Sequence, residues 1–319
     1  MELEDGSELC FPQLLNTSCR KPTVLWHQAV FPLFLMSISV LTVALNLLVI
    51  ISISHFRQLH TPTNILLISL AVSDLFVGLL LLPVEIILKV SCWFLGDLAC
   101  SLFNYMSFII TSASVGTMVL ISVDRYVSIC DPFHYTTRVT VKRVRFCVCM
   151  CWLCSVSYSG IFVKDGLTQP GKYSSCHGEC GIFIGYVTGA VDLVLTCIFP
   201  VTVIIVLYMR VFAVAVSQAR AMRSHITVVT QQLSVGPKTK KSELKAARTL
   251  GVVVVLFLIC FCPFYMVSLV GDSLLSHSYV SFVLYLFYFN SCLNPLIYAV
   301  FYPWFRKAAK RIVTLQPGF

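Results

Sequence analysis

The sequence is poor in charge. Only 12% of its 319 residues are Asp, Glu, Lys or Arg, where soluble chains carry about 25%. No segment repeats another, and no nucleophile–base set or metal cluster stands out. These absences weigh against a soluble globular domain, against an enzyme, and against a secondary transporter, which would show paired halves with broken helices. The first 20 residues hold no apolar region, so no cleaved signal peptide is expected. Hydrophobic residues are abundant instead, at 58%. The net charge of +9 needs no nucleic-acid partner, because its distribution has another reading.

Runs of apolar residues long enough to cross a bilayer occupy about 27–54, 63–90, 98–123, 146–163, 182–209, 250–271 and 279–301. Lipid offers the backbone no hydrogen-bond partner, so such runs must be helices. The fourth is the weakest, since Ser and Tyr interrupt its outer end. Basic residues fall on alternate connections, among them Arg57, Arg138, Arg143, Arg145, Arg220, Lys240 and Arg248. The positive-inside rule makes that side cytoplasmic and the N-terminus extracellular. The expected fold is an all-α membrane protein: an extracellular segment 1–26, a seven-transmembrane helix bundle 27–301, and a short amphipathic helix with a cytoplasmic tail over 302–319. In that last segment, Trp304-Phe305-Arg306-Lys307 and Lys310-Arg311-Ile312 alternate as a helix lying on the inner membrane surface would require.

Two acids lie inside these runs. Asp192 sits in the outer third of the fifth, stacked at i, i+4 spacing with Thr188 and Thr196. A charge at that depth costs several kcal/mol unless it meets a partner. This face must look into the bundle, and Asp192 is read as the anchor for the positive end of a small amine. Asp74, at mid-depth in the second run, is read as an anchor for polar groups, water or an ion. Glu85 stands near the outer mouth, where it could favour diamines. The third run carries a polar stripe of Asn104, Ser107, Thr111 and Ser114. Pro200, Pro263 and Pro295 should bend their helices. Aromatics beside Pro263 suit a cation. The stretch from Arg210 to Arg248 reads as helix extensions around a short loop at Gly236-Pro237, basic enough for anionic lipid or an acidic partner.

Of fifteen cysteines, eight lie within the runs, read as small apolar packing residues, and six form an outer group: Cys10, Cys19, Cys92, Cys100, Cys176 and Cys180. The outer six can form disulfides, whose pairing spacing alone does not fix. Cys176 and Cys180, with His177 between, lack the second ligand pair a metal would need. Asn16-Thr17-Ser18 is a glycosylation sequon on the extracellular side.

Asn46, Leu70-Ala71-x-x-Asp74, Asp124-Arg125-Tyr126, Trp152, Pro200 with Tyr208, Phe257-x-x-Cys260-x-x-Pro263 and Asn294-Pro295-x-x-Tyr298 occur in this order, one set to each span. In this the chain resembles the rhodopsin-like G-protein-coupled receptors along essentially its whole length. The run Asn290-Ser291-x-x-Asn294-Pro295-x-x-Tyr298-x-x-x-Tyr302-x-Trp304-Phe305 is similar to the fingerprint of trace amine-associated receptors. The resemblance implies a receptor for small amines in the plasma membrane, signalling through a stimulatory or olfactory G protein that raises cyclic AMP. Olfactory neuron cilia are one expected location and internal neuromodulation is the rival role. It implies disulfides Cys100–Cys180 and Cys19–Cys176 and leaves Cys10 and Cys92 unassigned. It places Ser107, Thr111, Thr196, Phe261, Phe264, Tyr265 and Tyr288 around the ligand, and Asp74, Ser114, Asn290 and Asn294 around a sodium ion. Activation residues would be Asp124, Arg125, Tyr126, Tyr208, Pro295, Tyr298 and Glu243, the last closing the inner side by pairing with Arg125. Val115, Pro200 and Phe257 would form the packed triad beneath the ligand. No other cofactor is implied. Tyr288 holds the place of the retinal-binding lysine of opsins and excludes a Schiff base.

Two departures matter. Amine receptors usually carry an Asp in the third span where this chain has Ser107. Asp192 compensates from the fifth, as in a fish clade of these receptors. Phe261 stands where most relatives have Trp, which alters the activation switch.

Overall fold

The computed structural model describes residues 9–14, 16–21, 30–169, 176–181, 185–228, 238–270 and 277–314, with the side chains of 165, 218–228, 238–250, 268–270, 277–278 and 313 outside that description. Inner and outer below denote the basic end and the disulfide-bonded end.

Seven long helices follow the apolar runs. The first spans Val30–His55, and the second runs from Pro62 to Val90. The third covers Gly96–Cys130 and the fourth Val141–Thr168. The fifth begins at Tyr186 and reaches Val228; the sixth covers Lys238–Val270 and the seventh His277–Phe301. The sixth is apolar over Gly251–Val267 among its described residues. The third helix outruns its apolar stretch by seven residues at the inner end. There Asp124 and Arg125 satisfy each other, so the helix continues past the lipid. The fourth extends at both ends, since Arg143 reaches back to the Thr137 and Arg138 carbonyls and steadies its start.

Proline acts differently from a simple bend in two helices. A wide π-type turn, Val77–Leu81, precedes Pro83, and another, Leu193–Ile198, precedes Pro200. A proline ring clashes with the carbonyl four residues back, here Leu79 and Thr196. Widening that turn by one residue removes the clash and keeps most backbone bonds. In the fifth helix the wide turn starts directly after Asp192, so it sets the direction in which that carboxylate leaves the helix.

The third helix touches the second, fourth, fifth and sixth. Its packing on the fourth is close because Gly116 has no side chain: a Cβ there would run into the Cys151 sulfur. Gly116→Ala is therefore expected to destabilise by about 1–3 kcal/mol through overpacking. Cys151→Ala should restore most of the loss, read as surface receptor and thermal half-life in a double-mutant cycle; additive losses would contradict this contact. Trp152 ties the fourth helix to the second, its indole N–H donating to Ser69 Oγ at 3.1 Å, and Ser69 in turn lies 3.0 Å from Thr117 of the third. At the inner surface, helix Pro303–Val313 turns its apolar face inward. Phe305 and Ala308 are buried and the helix rests on the first span. Arg306 donates to the carbonyls of Ala299 and Val300, closing the end of the seventh helix.

Three disulfides tie the outer end: Cys100–Cys180, Cys19–Cys176 and Cys10–Cys92. The third supplies partners for the two cysteines that the sequence left open. Backbone bonds join the N-terminal segment to the outer loop, from His177 N–H to Thr17 C=O (2.7 Å) and from Cys19 N–H to His177 C=O (2.9 Å). With Cys176 and Cys180 oxidised, neither offers a thiolate to a metal. Asn16 lies exposed in a turn, accessible to the glycosylation its sequon allows.

Candidate functional site

Asp192 is half-buried in the outer part of the bundle. The Tyr158 hydroxyl, on the fourth helix, donates to its Oδ1 at 2.7 Å. One turn inward, the Thr196 hydroxyl lies 2.6 Å from the Asp192 backbone carbonyl and 2.7 Å from the Tyr265 hydroxyl. Helices four, five and six thus meet through Tyr158, Asp192, Thr196 and Tyr265. No cationic side chain pairs with Asp192 among the described residues. A carboxylate held by one neutral donor keeps the capacity to accept further charged hydrogen bonds.

From Tyr265 an aromatic wall crosses the bundle. Ring centroids lie 4.9 Å apart for Tyr265 and Phe261, 5.5 Å for Phe261 and Phe287, and 5.4 Å for Phe287 and Tyr288. Phe264 joins at 5.0 Å from Phe287. At the far end, Tyr288 is buried close to Ser107 and Glu85. Thr111, Phe261, Phe287 and Tyr288 share a small cavity of about 20 Å³ with Ser114 and Asn290, roughly the room one water needs. Phe261 stacks on Phe257 at 4.7 Å, and Phe257 is buried with Val115 in the central core. The wall is therefore continuous with the packing beneath it. Two residues of this site, Tyr158 and Phe287, were not singled out by sequence. Tyr158 did leave a signal, as one of the residues that interrupt the fourth apolar run.

Below the wall, Asp74 is buried at 1% exposure, accepting from Asn294 Nδ2 at 2.8 Å. Its Oδ1 has no partner, and neither do Asn46 Oδ1 and Asn290 Oδ1. Unpaired buried acceptors of this kind suit a cation with hard oxygen ligands.

At the inner end Arg125 is buried. It pairs with its neighbour Asp124 and donates to the Thr63 hydroxyl of the second helix. Asp124 also accepts from Thr63 at 2.9 Å and from Tyr135 at 2.8 Å. Burial first, and then the Asp124 carboxylate, push the Tyr135 phenol up to about 12, so it remains a donor at any physiological pH. The side chain of Glu243, the expected partner of Arg125, lies outside the described residues. The hydroxyls of Tyr208, Tyr298 and Tyr302 are buried without partners. Together these groups form an inner polar layer with unspent hydrogen-bonding capacity. Tyr126 is half-buried beside Ile129 and Val211 at the same end.

Residues 45–298 match the 7 transmembrane receptor (rhodopsin family). The chain is 38% identical to trace amine-associated receptor 13c of Danio rerio, over 98% of this chain and 94% of that receptor. It is 36% identical to trace amine-associated receptor 1 of Mus musculus, over 88% and 87%, and 35% identical to receptor 7e of the same species, over 97% and 89%. The chain is a rhodopsin-family receptor of the trace amine-associated type. Membership makes it a multi-pass plasma membrane protein that takes a small-molecule ligand and a heterotrimeric G protein, and it is not an enzyme.

Proposed function

We propose that the receptor detects small protonated amines by pairing the ammonium with Asp192. The observation that carries this reading is a carboxylate inside the bundle, tethered by a tyrosine, with aromatic rings at hand and no cationic side chain paired with it among the described residues. An ammonium there gains a charge-assisted hydrogen bond and the attraction of ring faces. Thr196, Thr111 and Tyr265 are the polar groups beside it, and Phe261, Phe264 and Tyr288 the rings.

Signalling then requires that the amine bind one packing of the bundle better than the other, since only that difference shifts the equilibrium. Thr196 lies in the wide turn and also touches Tyr265, so pulling on Asp192 acts on both the fifth and sixth helices. The movement is passed through Phe261 and Phe257 to the inner layer. There Arg125 leaves Asp124 and Thr63 to meet a G protein of the stimulatory or olfactory kind, raising cyclic AMP. The N-terminus is extracellular, and olfactory cilia are the proposed location. The test is a cyclic AMP screen of protonatable amines across pH. The expected potency falls as each amine loses its proton, in step with the amine's own pKa; a response from a permanently neutral isostere of equal potency would contradict charge recognition.

Asp74, Asn290, Asn294 and Ser114 are the residues that would hold a sodium ion, which would supply positive charge to unpaired oxygens. Replacing a large organic cation by sodium is expected to weaken agonist affinity by about fivefold or more. Asp74→Asn should abolish that dependence in radioligand competition. An unchanged sodium effect in the variant would place the ion elsewhere.

A further inference from the structure

The cysteines of the spans divide by burial. Cys151 lies against Gly116, and Cys260 and Cys292 are buried, as small packing residues should be. Cys147, Cys149 and Cys154, all on the fourth helix, are free and exposed. Little of that helix is buried, so its outward face meets lipid. Arg145 is the last basic residue before the apolar stretch, and Cys147 and Cys149 follow it closely. At the rise of an α-helix they lie about 3 and 6 Å deeper than Arg145, whereas Cys154 lies about 14 Å deeper. Lys142, Arg145 and Cys149 share one exposed face with Phe146 and Leu153, which are 66% and 59% exposed. Neither Lys142 nor Arg145 forms an ion pair among the described residues. Two open cations therefore stand at the depth of anionic headgroups, with two open thiols just beneath them.

Building on the orientation proposed above, with the basic end cytoplasmic, we infer that Cys147 and Cys149 are a site of S-acylation by long-chain fatty acids. Thiols beside a membrane boundary are the groups that such chains modify reversibly. The co-reactant is a fatty acyl-coenzyme A. The cysteine sulfur bonds to the acyl carbonyl carbon, the bond from that carbon to the coenzyme A sulfur breaks, and the thiol proton ends on the released coenzyme A. Hydrolysis of the thioester restores the thiol and frees the fatty acid. Cys154 is exposed but too deep in lipid for the polar coenzyme A to reach, and Cys130 at the end of the third helix is half-buried. The attached chain would run toward the outer end along Phe146, Met150 and Leu153, all exposed. One turn before Cys147, Arg143 donates to the Thr137 and Arg138 carbonyls. The acyl chain would thus anchor the end of the fourth helix that holds the inner loop before it.

The experiment uses full-length receptor in animal cells. Free thiols are blocked with N-ethylmaleimide, thioesters are cleaved with neutral hydroxylamine, and the thiols released are tagged with a maleimide polymer that shifts the band on a gel. Wild type is expected to carry a hydroxylamine-dependent tag. The double variant Cys147→Ser, Cys149→Ser should lose it, while Cys130→Ser and Cys154→Ser retain it. In wild type, mass spectrometry should place the acyl group on Cys147 or Cys149, a reading that needs no variant to fold. No tag on wild type, a tag that survives the double variant, or an acyl group found on Cys130 or Cys154 instead overturns the site. An N-terminal epitope on intact cells reads the orientation separately. An epitope reached only after permeabilisation overturns the orientation, and the site with it, so that failure is distinguishable from a failure of the thiols.

Discussion

Asp192→Ala is expected to lower amine potency about a hundredfold or more at equal surface expression. Leaving one member of a buried ion pair alone costs about 3–5 kcal/mol, and each 1.4 kcal/mol is tenfold. Asp192 is half-buried rather than enclosed, so the loss should fall toward the low end of that range. The variant removes the ligand's partner without stranding a charge in the empty receptor. Tyr158 would lose an acceptor and Thr196 would keep its contact with Tyr265, so folding should be little affected. Tyr158→Phe provides the graded control. It withdraws one neutral donor but keeps the carboxylate, so the loss should be about tenfold, as for one hydrogen bond to a charged group. Full dose–response curves for cyclic AMP, normalised to surface receptor, check both. Superimposable curves for wild type and Asp192→Ala would remove Asp192 from recognition.

Cys100→Ser is expected to reduce surface receptor about tenfold or more and to silence what remains. The bond to Cys180 closes a separation of 80 residues, and Cys10–Cys92 closes one of 82. Chain entropy alone would make the two about equal, each near 4–5 kcal/mol for an unrestrained chain. Their positions are not equal. Cys180 lies six residues before Tyr186, where the fifth helix begins, and Cys100 lies in the first turns of the third. Losing this bond frees the segment that leads into Asp192. Cys92→Ser loosens only the N-terminal segment, which Cys19–Cys176 still ties down, and should leave potency within about threefold of wild type, since surface changes away from the site are commonly small. Flow cytometry and the amine response read both variants. Equal defects would mean that the bonds act through chain entropy alone.

The fold was legible because its signal is long. Some twenty apolar residues in a row override local propensity, so each span was expected in its place, while the fifth and sixth helices run 19 and 12 residues past their apolar runs at the inner end. The misjudged boundaries have physical causes. The third helix runs on because Asp124 and Arg125 neutralise one another, which apolar counting cannot register. The π-type turns were not legible: Pro83 and Pro200 announce a disturbance but not whether the chain bends or widens. Side-chain pairing was the other gap. Asp192 declared itself through its cost in lipid, whereas Tyr158 could have packed as an ordinary aromatic until the fourth helix was placed beside the fifth. Cys10 and Cys92 were known to be outer cysteines, yet only the folded N-terminal segment joins them. Asp74 and Asn294 were paired through a family resemblance, and the structure puts them 2.8 Å apart, which spacing alone would not have revealed.

The most direct measurement is a structure of the receptor bound to a monoamine agonist. The account predicts the ligand nitrogen at about 2.7–2.9 Å from a carboxylate oxygen of Asp192, the range of charge-assisted pairs, with its chain against Phe261 and Tyr265. A nitrogen seated on other groups, with Asp192 still turned to Tyr158 alone, would contradict it.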